Sequence, residues 1–316
     1  MKTRLTFAIL LILTPPASAE TIRALFWNLE SGESSTPYLA AQLIEKPNID
    51  LWGFSEVEHA DVLVAFCRAL EKAHPGVEFM WHISRDGGGD RLGIIYRTDR
   101  LEAVAYRGKA AIEDLGEHFF EVDSVKAGHD GLRPALGVQL RTKTKREFIV
   151  LVNHFKCCGN GRTRRVGQAA ALNKFAEQSP GLPIIAGGDF NIPINREGKN
   201  GPALAKLRER WHYVRPAETV GTHRGGSILD AVFIQGHNQQ WFPTASIRAR
   251  TGDAVASSNR FDDDHQKTDH RPVLLILSDK PTAQIEALRR RLAELEAEVE
   301  RVRVQLKQLE ATAERD

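Results

Sequence analysis

Cysteine is scarce: three residues in 316, too few for a disulfide framework. Charge of one sign is missing as well. Forty-three Lys+Arg face 41 Asp+Glu, a formal net charge of +2. That balance excludes the strong one-signed field that marks a nucleic-acid, membrane or acidic-partner binder by composition alone. Beyond residue 19 no apolar run is long enough to cross a bilayer, so no integral membrane segment is expected. No internal repeat is present. What the chain does have is 42% hydrophobic and 27% charged residues. That excludes a disordered tail and suits one large domain or two small ones.

Both ends are distinct from the middle. Lys2 and Arg4 precede an apolar stretch from Leu5 to Leu13; Pro15 and Pro16 break it, and Ala17-Ser18-Ala19 offers small residues for cleavage. This is the pattern of a signal peptide over residues 1–19, and it predicts a secreted or periplasmic protein. Its removal takes away two positive charges and leaves a formally neutral chain. In an oxidising compartment Cys67 could pair with Cys157 or Cys158, whereas the adjacent pair closes only with local strain. At the other end Ile285, Leu288, Leu292, Leu295, Val299, Val302, Leu306 and Leu309 alternate in steps of three and four. That narrow seam predicts a coiled-coil helix over residues 281–316, with residues 282–313 joining copies into a homo-oligomer. In a parallel pair Arg291 would face Glu296, and Glu298 would face Arg303. Lys280-Pro281-Thr282 reads as the joint, with Thr282 as a candidate N-cap.

Residues 20–280 form the middle. Apolar runs predict strands at 22–27, 51–54, 92–96, 135–140, 148–153, 184–186, 231–234 and 273–276. Helices are expected over 61–73, with Val62, Phe66, Ala69 and Leu70 on one face, and over 165–178, with Val166, Ala169, Ala170, Leu172 and Phe175. Strands outnumber helices, so an α/β sandwich flanked by helices fits better than simple alternation. Polar residues collect just after the apolar runs, where strand ends build sites. These are Asn28, Glu56, His154, Asp189, Asn191, Asp230, Asp269 and His270. Oxygen donors suit a hard cation such as Mg²⁺ or Ca²⁺, and imidazoles beside carboxylates suit general acid–base chemistry.

The ordered segments Phe-Trp-Asn (26–28), Ser-Glu-Val (55–57), Arg-Leu-Gly-Ile-Ile-Tyr (91–96), Arg-Pro (133–134), Asn-His-Phe-Lys (153–156), Gly-Gly-Asp-Phe-Asn (187–191), Leu-Asp-Ala-Val-Phe (229–233) and Thr-Asp-His-Arg-Pro-Val (268–273) resemble the endonuclease/exonuclease/phosphatase superfamily. The resemblance implies the deoxyribonuclease I-like fold, a four-layer α/β sandwich with the site at one edge of the sheets. It implies metal-dependent phosphodiester hydrolysis, with Mg²⁺ as cofactor and Mn²⁺ or Ca²⁺ as alternatives. Carried over by position, Glu56 is the principal metal ligand with Asn28 beside it, and Asp269 completes the shell or serves a second ion. Asp189 orients or deprotonates water and Asn191 fixes the phosphate. His270, held by Asp230, faces the phosphate, and His154 lies opposite to protonate the leaving oxygen or stabilise charge. Arg133 and Tyr96 contact substrate. Apart from the resemblance, Asp90 is a candidate to orient His154. Ser55 departs from the Gln that usually precedes the metal-binding Glu. Glu58 competes with Glu56, because a spacing of two keeps both on one face of a strand.

The substrate is the least legible part. The expected partner is a phosphodiester, foremost DNA; sphingomyelin-type or smaller phosphoesters are the enzymatic alternative, and a catalytically idle coiled-coil scaffold is the other class. Arg141, Lys143, Lys145 and Arg146 form one basic run. Arg162, Arg164 and Arg165 form another, beside His154, suited to a nucleic-acid backbone. The segment 237–267, with Trp241, Phe242 and Phe261, reads as either a membrane- or base-contacting hairpin or a long loop. Asp262-Asp263-Asp264 reads as a solvated acidic loop.

Overall fold

The structure is a computed structural model that describes residues 20–279, apart from 47, 111, 123–131, 180, 197–200, 237–240 and 262–267. The expected signal peptide, the coiled coil with its joint, and the acidic run at 262–264 lie outside the described residues.

Fourteen strands and four α-helices follow one another among the described residues. The first part runs β1 (Thr21–Asn28), α1 (Thr36–Ile44), β2 (Leu51–Val57), α2 (Ala60–Ala73), β3 (Phe79–Ile83) and β4 (Arg91–Arg97). Then come β5 (Leu101–Val104), β6 (Ile112–Gly116), β7 (Phe119–Val122), β8 (Leu136–Thr142), β9 (Glu147–His154), α3 (Arg162–Gln178) and β10 (Ile184–Asp189). The chain continues with α4 (Gly201–Arg208), β11 (His212–Tyr213), β12 (Asp230–Gln235), β13 (Phe242–Ile247) and β14 (Val273–Ser278).

The strands form two sheets. The first has the order β13-β14-β1-β2-β4-β3; the second has β11-β12-β10-β9-β8-β7-β6, with β5 also paired to β8. Each contains one parallel pair, β1–β2 and β9–β10. Parallel neighbours need a crossover, and α1 and α3 provide it. All eight predicted strands are present, usually a residue or two longer. Six more were not anticipated: β3, β5, β6, β7, β11 and β13.

Three apolar layers hold the sandwich together. Leu25, Trp27, Trp52 and Phe54 of the first sheet pack on Leu39 and Leu43 of α1 and on Leu63, Phe66 and Leu70 of α2. The inward face of α2 is therefore Leu63, Phe66, Cys67 and Leu70, with Val62 and Ala69 at its margin. Ile149, Leu151, Ile184 and Ala186 of the second sheet pack on Leu172, Phe175 and Ala176 of α3 and on Leu204 and Leu207 of α4. Between the sheets lie Phe26, Ile94, Val150, Val152, Ile185, Val232 and Leu275. The architecture is thus the expected mixed α/β sandwich with helices outside both sheets.

Phe26 sets the spacing at the centre. A Cβ at Gly53 would lie 2.7 Å from the Phe26 ring, and one at Gly187 only 2.4 Å from it. The bare backbones of β2 and β10 are what let the ring fill this gap. Gly187→Ala therefore forces the sheets apart and costs roughly 1–3 kcal/mol. Urea unfolding should show the lower midpoint; an unchanged midpoint would contradict this account of the inter-sheet packing.

Candidate active site

The second sheet contributes a row of three polar residues. Asp189 of β10 stands opposite His154 of β9 on one side and Asp230 of β12 on the other. From the first sheet, the β1–β2 pairing ends at Asn28 and Ser55. A bulge between Phe54 and Val57 then puts Glu56 in a left-handed conformation (φ 57). The bulge breaks the alternation that made Glu58 an equal candidate: Glu56 joins the cluster, while Glu58 is exposed beside His59.

The sheets meet at Asn28. Its Nδ2 donates to Glu56 Oε1 (2.9 Å) and to Asp189 Oδ2 (3.1 Å), and its Oδ1 accepts from the Glu30 amide. Asn28 thus enters the cluster as a donor between carboxylates. His154 Nε2 lies 3.4 Å from Glu56 Oε1 and 3.8 Å from Asp189 Oδ2. Asn191, left-handed at φ 50, donates from its amide to Asp189 Oδ1 (2.7 Å) and from Nδ2 to Asp189 Oδ2 (3.0 Å). Both bonds brace Asp189. Arg133 donates from Nη1 to the His154 ring, 2.7 Å from Nδ1, and its Nη2 pairs with Asp90. The Asp90 carboxylate therefore reaches His154 through Arg133, while the Asp90 backbone also hydrogen-bonds the ring directly. Gln168 of α3 donates to the carbonyls of Arg133 and His154 and steadies both from outside the sheet.

His270 closes the other side. Its Nδ1 is 2.7 Å from Asp230 Oδ2, with both residues buried. Trp27 Nε1 donates to the His270 carbonyl, and the His270 amide donates to Thr268 Oγ1. Thr268 Oγ1 in turn donates to the Asn28 carbonyl. Behind this chain, the buried Lys46 ammonium donates to the carbonyls of Arg250 and Gly252, and Arg250 Nη1 donates to the Thr268 carbonyl. The end of α1 is thereby tied to the loop that carries His270.

Burial dominates the electrostatics. It raises the Glu56 carboxyl, and it raises Asp189 to about 7 although the nearby His270 opposes it. His154 is held well below its ordinary value by burial and then by the Arg133 charge, so the ring is neutral. Burial alone would lower His270, but the ion pair with Asp230 and the nearby Asp189 and Asp269 outweigh it and raise it to about 10. The two histidines are pushed to opposite protonation states.

Glu56, His154 and Asp189 each offer a ligand atom within 4.8 Å of the others. Two desolvated carboxylates converging this closely are what a divalent cation relieves, and an oxygen-rich donor set suits a hard one. Asp269 falls instead in a neighbouring group with His223 and His270. A metal would be held by Glu56, with Asp269 near enough for its charge to raise the Glu56 carboxyl and Asp189 beside it as a base.

Of the ten predicted site residues, Asn28, Glu56, Arg133, His154, Asp189, Asn191, Asp230, Asp269 and His270 come together at this edge. Tyr96 does not. β4 runs antiparallel to β2, so its first residue, Arg91, lies opposite Val57 near the site, while Tyr96 lies opposite Leu51 at the far end. It is 4% exposed and packs on Phe119 between the sheets. The two basic runs also separate. Arg141 and Arg146 occupy the β8–β9 turn at the end opposite His154, paired with Glu147 and with Glu20 and Asp279. Arg165 is buried and donates to the carbonyls of Lys156 and Cys158, whereas Arg162 and Arg164 are exposed.

The segment 237–267 is no exposed hairpin in its described parts. β13 pairs with β14, Trp241 is buried beneath Arg146, and Phe261 is buried against Arg271. All three cysteines are free: Cys67 lies on the inward face of α2, and Cys157 and Cys158 follow β9 with their Sγ atoms 2.8 Å apart. Glu30, Thr268 and His223 are parts of the site that sequence reasoning missed. An acidic residue two positions after Asn28 was the available signal for Glu30.

The raised Asp189 carboxyl has a sign that can be tested. The folded protein binds this proton more tightly than the unfolded chain, whose aspartates titrate near 3.9. In EDTA, stability contributed by protonated Asp189 is therefore lost as pH rises from about 4 through about 7. Thermal unfolding of Asp189→Asn across that range should show a flatter profile than wild type; parallel profiles would contradict the assignment.

The comparisons agree with this geometry. No match to the chain is found among curated protein sequences. Among solved structures, an endonuclease/exonuclease/phosphatase family protein from Bacteroides thetaiotaomicron is 19% identical, with a TM-score of 0.56 over 83% of this chain and 99% of that one. A mannosyl-6-phosphatase from the same organism is 19% identical, with a TM-score of 0.54 over 81% and 99%. Truncated TDP2 from Caenorhabditis elegans is 13% identical, with a TM-score of 0.53 over 81% and 97%. At these identities the likeness shows the fold. The family model for Endonuclease/Exonuclease/phosphatase family matches residues 25–270, from the middle of β1 to His270. The chain belongs to that family of metal-dependent phosphoesterases.

Proposed function

We propose that the chain is an exported, Mg²⁺-dependent nuclease that hydrolyses DNA phosphodiester bonds at this site. The observation that carries the choice of a polymeric substrate is the cationic flank. Arg133 stands inside the cluster, and α3 begins directly beyond the β9 end with Arg162 and Arg164 exposed. Cations in the first turn oppose the helix dipole, and a phosphate backbone lying there offsets the cost. Residues 1–19 support export and residues 282–313 support assembly of several catalytic domains, which would add weak contacts along one polymer. The buried Trp241 and Phe261 count against a membrane-inserting tip, and so against a sphingomyelinase-type reading.

The protonation states divide the work. Asp189, braced by Asn28 and Asn191, accepts the proton of the attacking water as the water oxygen bonds to phosphorus. His270, a cation held by Asp230, gives its Nε2 proton to the leaving oxygen as the bond from that oxygen to phosphorus breaks. His154 is neutral, so with Arg133 it positions the phosphate rather than giving up a proton. A bound divalent cation supplies Lewis-acid stabilisation of the phosphoryl oxygens.

Plasmid DNA incubated with residues 20–316 and Mg²⁺, Mn²⁺ or Ca²⁺ should be nicked. EDTA and the Asp189→Ala/His270→Ala double variant should abolish the nicking. Asp230→Asn should lower kcat by ~10²–10⁴-fold, since it unpairs and reorients His270. No nicking by folded wild type would sink the nuclease reading. The fold shared with a mannosyl-6-phosphatase makes sugar phosphomonoesters the substrates to assay in parallel. Arg162→Ala/Arg164→Ala should weaken DNA binding and reduce the salt slope by about 2; an unchanged slope would remove the cationic flank from the account.

A further inference from the structure

His223 lies outside every segment that carries the family resemblance, yet it reaches the site. It sits on the turn before β12, in an isolated antiparallel bridge with His270. Its Nε2 is 3.1 Å from Asp269 Oδ2, and its ring meets the His270 ring edge-on with centroids 5.0 Å apart. Two roles fit such a placement. His223, Asp269 and His270 each offer a ligand atom within 4.8 Å of the others, so His223 could ligate a metal directly. Alternatively, it could hold Asp269 in place for a metal or substrate.

The other ring nitrogen separates the two. The Gly225 amide donates to His223 Nδ1 at 2.9 Å. An Nδ1 that accepts a backbone N–H carries no proton, so in the neutral ring the proton is on Nε2. That nitrogen then has no lone pair for a metal and donates to Asp269 instead. The turn supports this geometry: the Gly226 amide donates to the His223 carbonyl, and Gly226 is left-handed at φ 76. The Asp269 backbone is fixed as well. Its amide donates to Glu30 Oε2 (2.7 Å), and its carbonyl accepts from the Arg224 amide (2.9 Å).

We propose that His223 is a positioning residue of the phosphoesterase site, its tautomer set by the Gly225 amide so that Nε2–H fixes the Asp269 carboxylate toward the divalent cation. The inference rests on the metal-dependent reading above and deepens it. Hydrogen bonds to a ligating carboxylate commonly govern metal affinity by 10–100-fold. Its loss should therefore appear in metal binding more than in turnover at saturating metal.

The test is Mn²⁺ binding to the full chain by calorimetry, for wild type, His223→Ala and His223→Gln. His223→Ala should bind Mn²⁺ about 10–100-fold more weakly. It should need correspondingly more metal for half-maximal activity, with kcat at saturation within a few-fold of wild type. His223→Gln, whose side-chain N–H can reach the carboxylate, should recover most of the affinity. Equal Mn²⁺ affinity in wild type and a folded His223→Ala overturns the inference while leaving the metal site intact. A directly bound imidazole nitrogen in the electron spin echo spectrum of wild-type Mn²⁺ protein, absent in His223→Ala, overturns it in favour of ligation. Wild type that binds no Mn²⁺ overturns both the inference and the reading beneath it.

Discussion

The Phe26 ring occupies the space that Gly53 and Gly187 leave open, and the site depends on that close approach. With the sheets this near, one amide group at the end of β1 reaches carboxylates from both. Asn28 Nδ2 touches Glu56 of the first sheet and Asp189 of the second. The polar cluster is therefore a consequence of core packing. A slight opening of the sheets would separate Glu56 from Asp189 without changing any site residue.

Convergence has an electrostatic cost. Glu56 and Asp189 lose water where they meet, and Asp189 retains its proton to about pH 7. The surroundings offset part of this with fixed donors: Asn28, Asn191 and the charged His270. The remainder is the physical reason a divalent cation belongs there. The same burial splits the histidines, because His270 has Asp230 as a partner and His154 has Arg133. One sheet edge thus carries a cationic donor, a neutral ring and a proton-accepting carboxylate within a few ångströms.

Much of this was legible in the sequence, for identifiable reasons. The central strands are long apolar runs because both their faces are covered, and their polar ends mark the site. Asp189, Asp230 and His154 could be placed together because each directly follows or opens such a run. The peripheral strands β6 and β7 were missed: β6 carries Glu113 and Asp114 and lacks an apolar period. α1 was not anticipated; its Pro37 sits in the first turn, where proline is well tolerated. Tyr96 was misplaced because a strand-end motif does not reveal strand direction; only the antiparallel pairing with β2 shows which end of β4 faces the site. His223 left no local signal, since its role exists only through the bridge to His270. The Ser55 departure has a visible counterpart: its hydroxyl is buried without a hydrogen-bond partner beside Glu56.

The account stands on one cation-binding position where the two sheets meet, and diffraction can locate it. Crystals grown with Mn²⁺ and measured near the manganese absorption edge should show an anomalous peak within about 2.0–2.3 Å of a Glu56 carboxylate oxygen, at the edge shared with Asp189. A peak confined to other parts of the molecule, with Glu56 unligated at saturating Mn²⁺, would contradict the account.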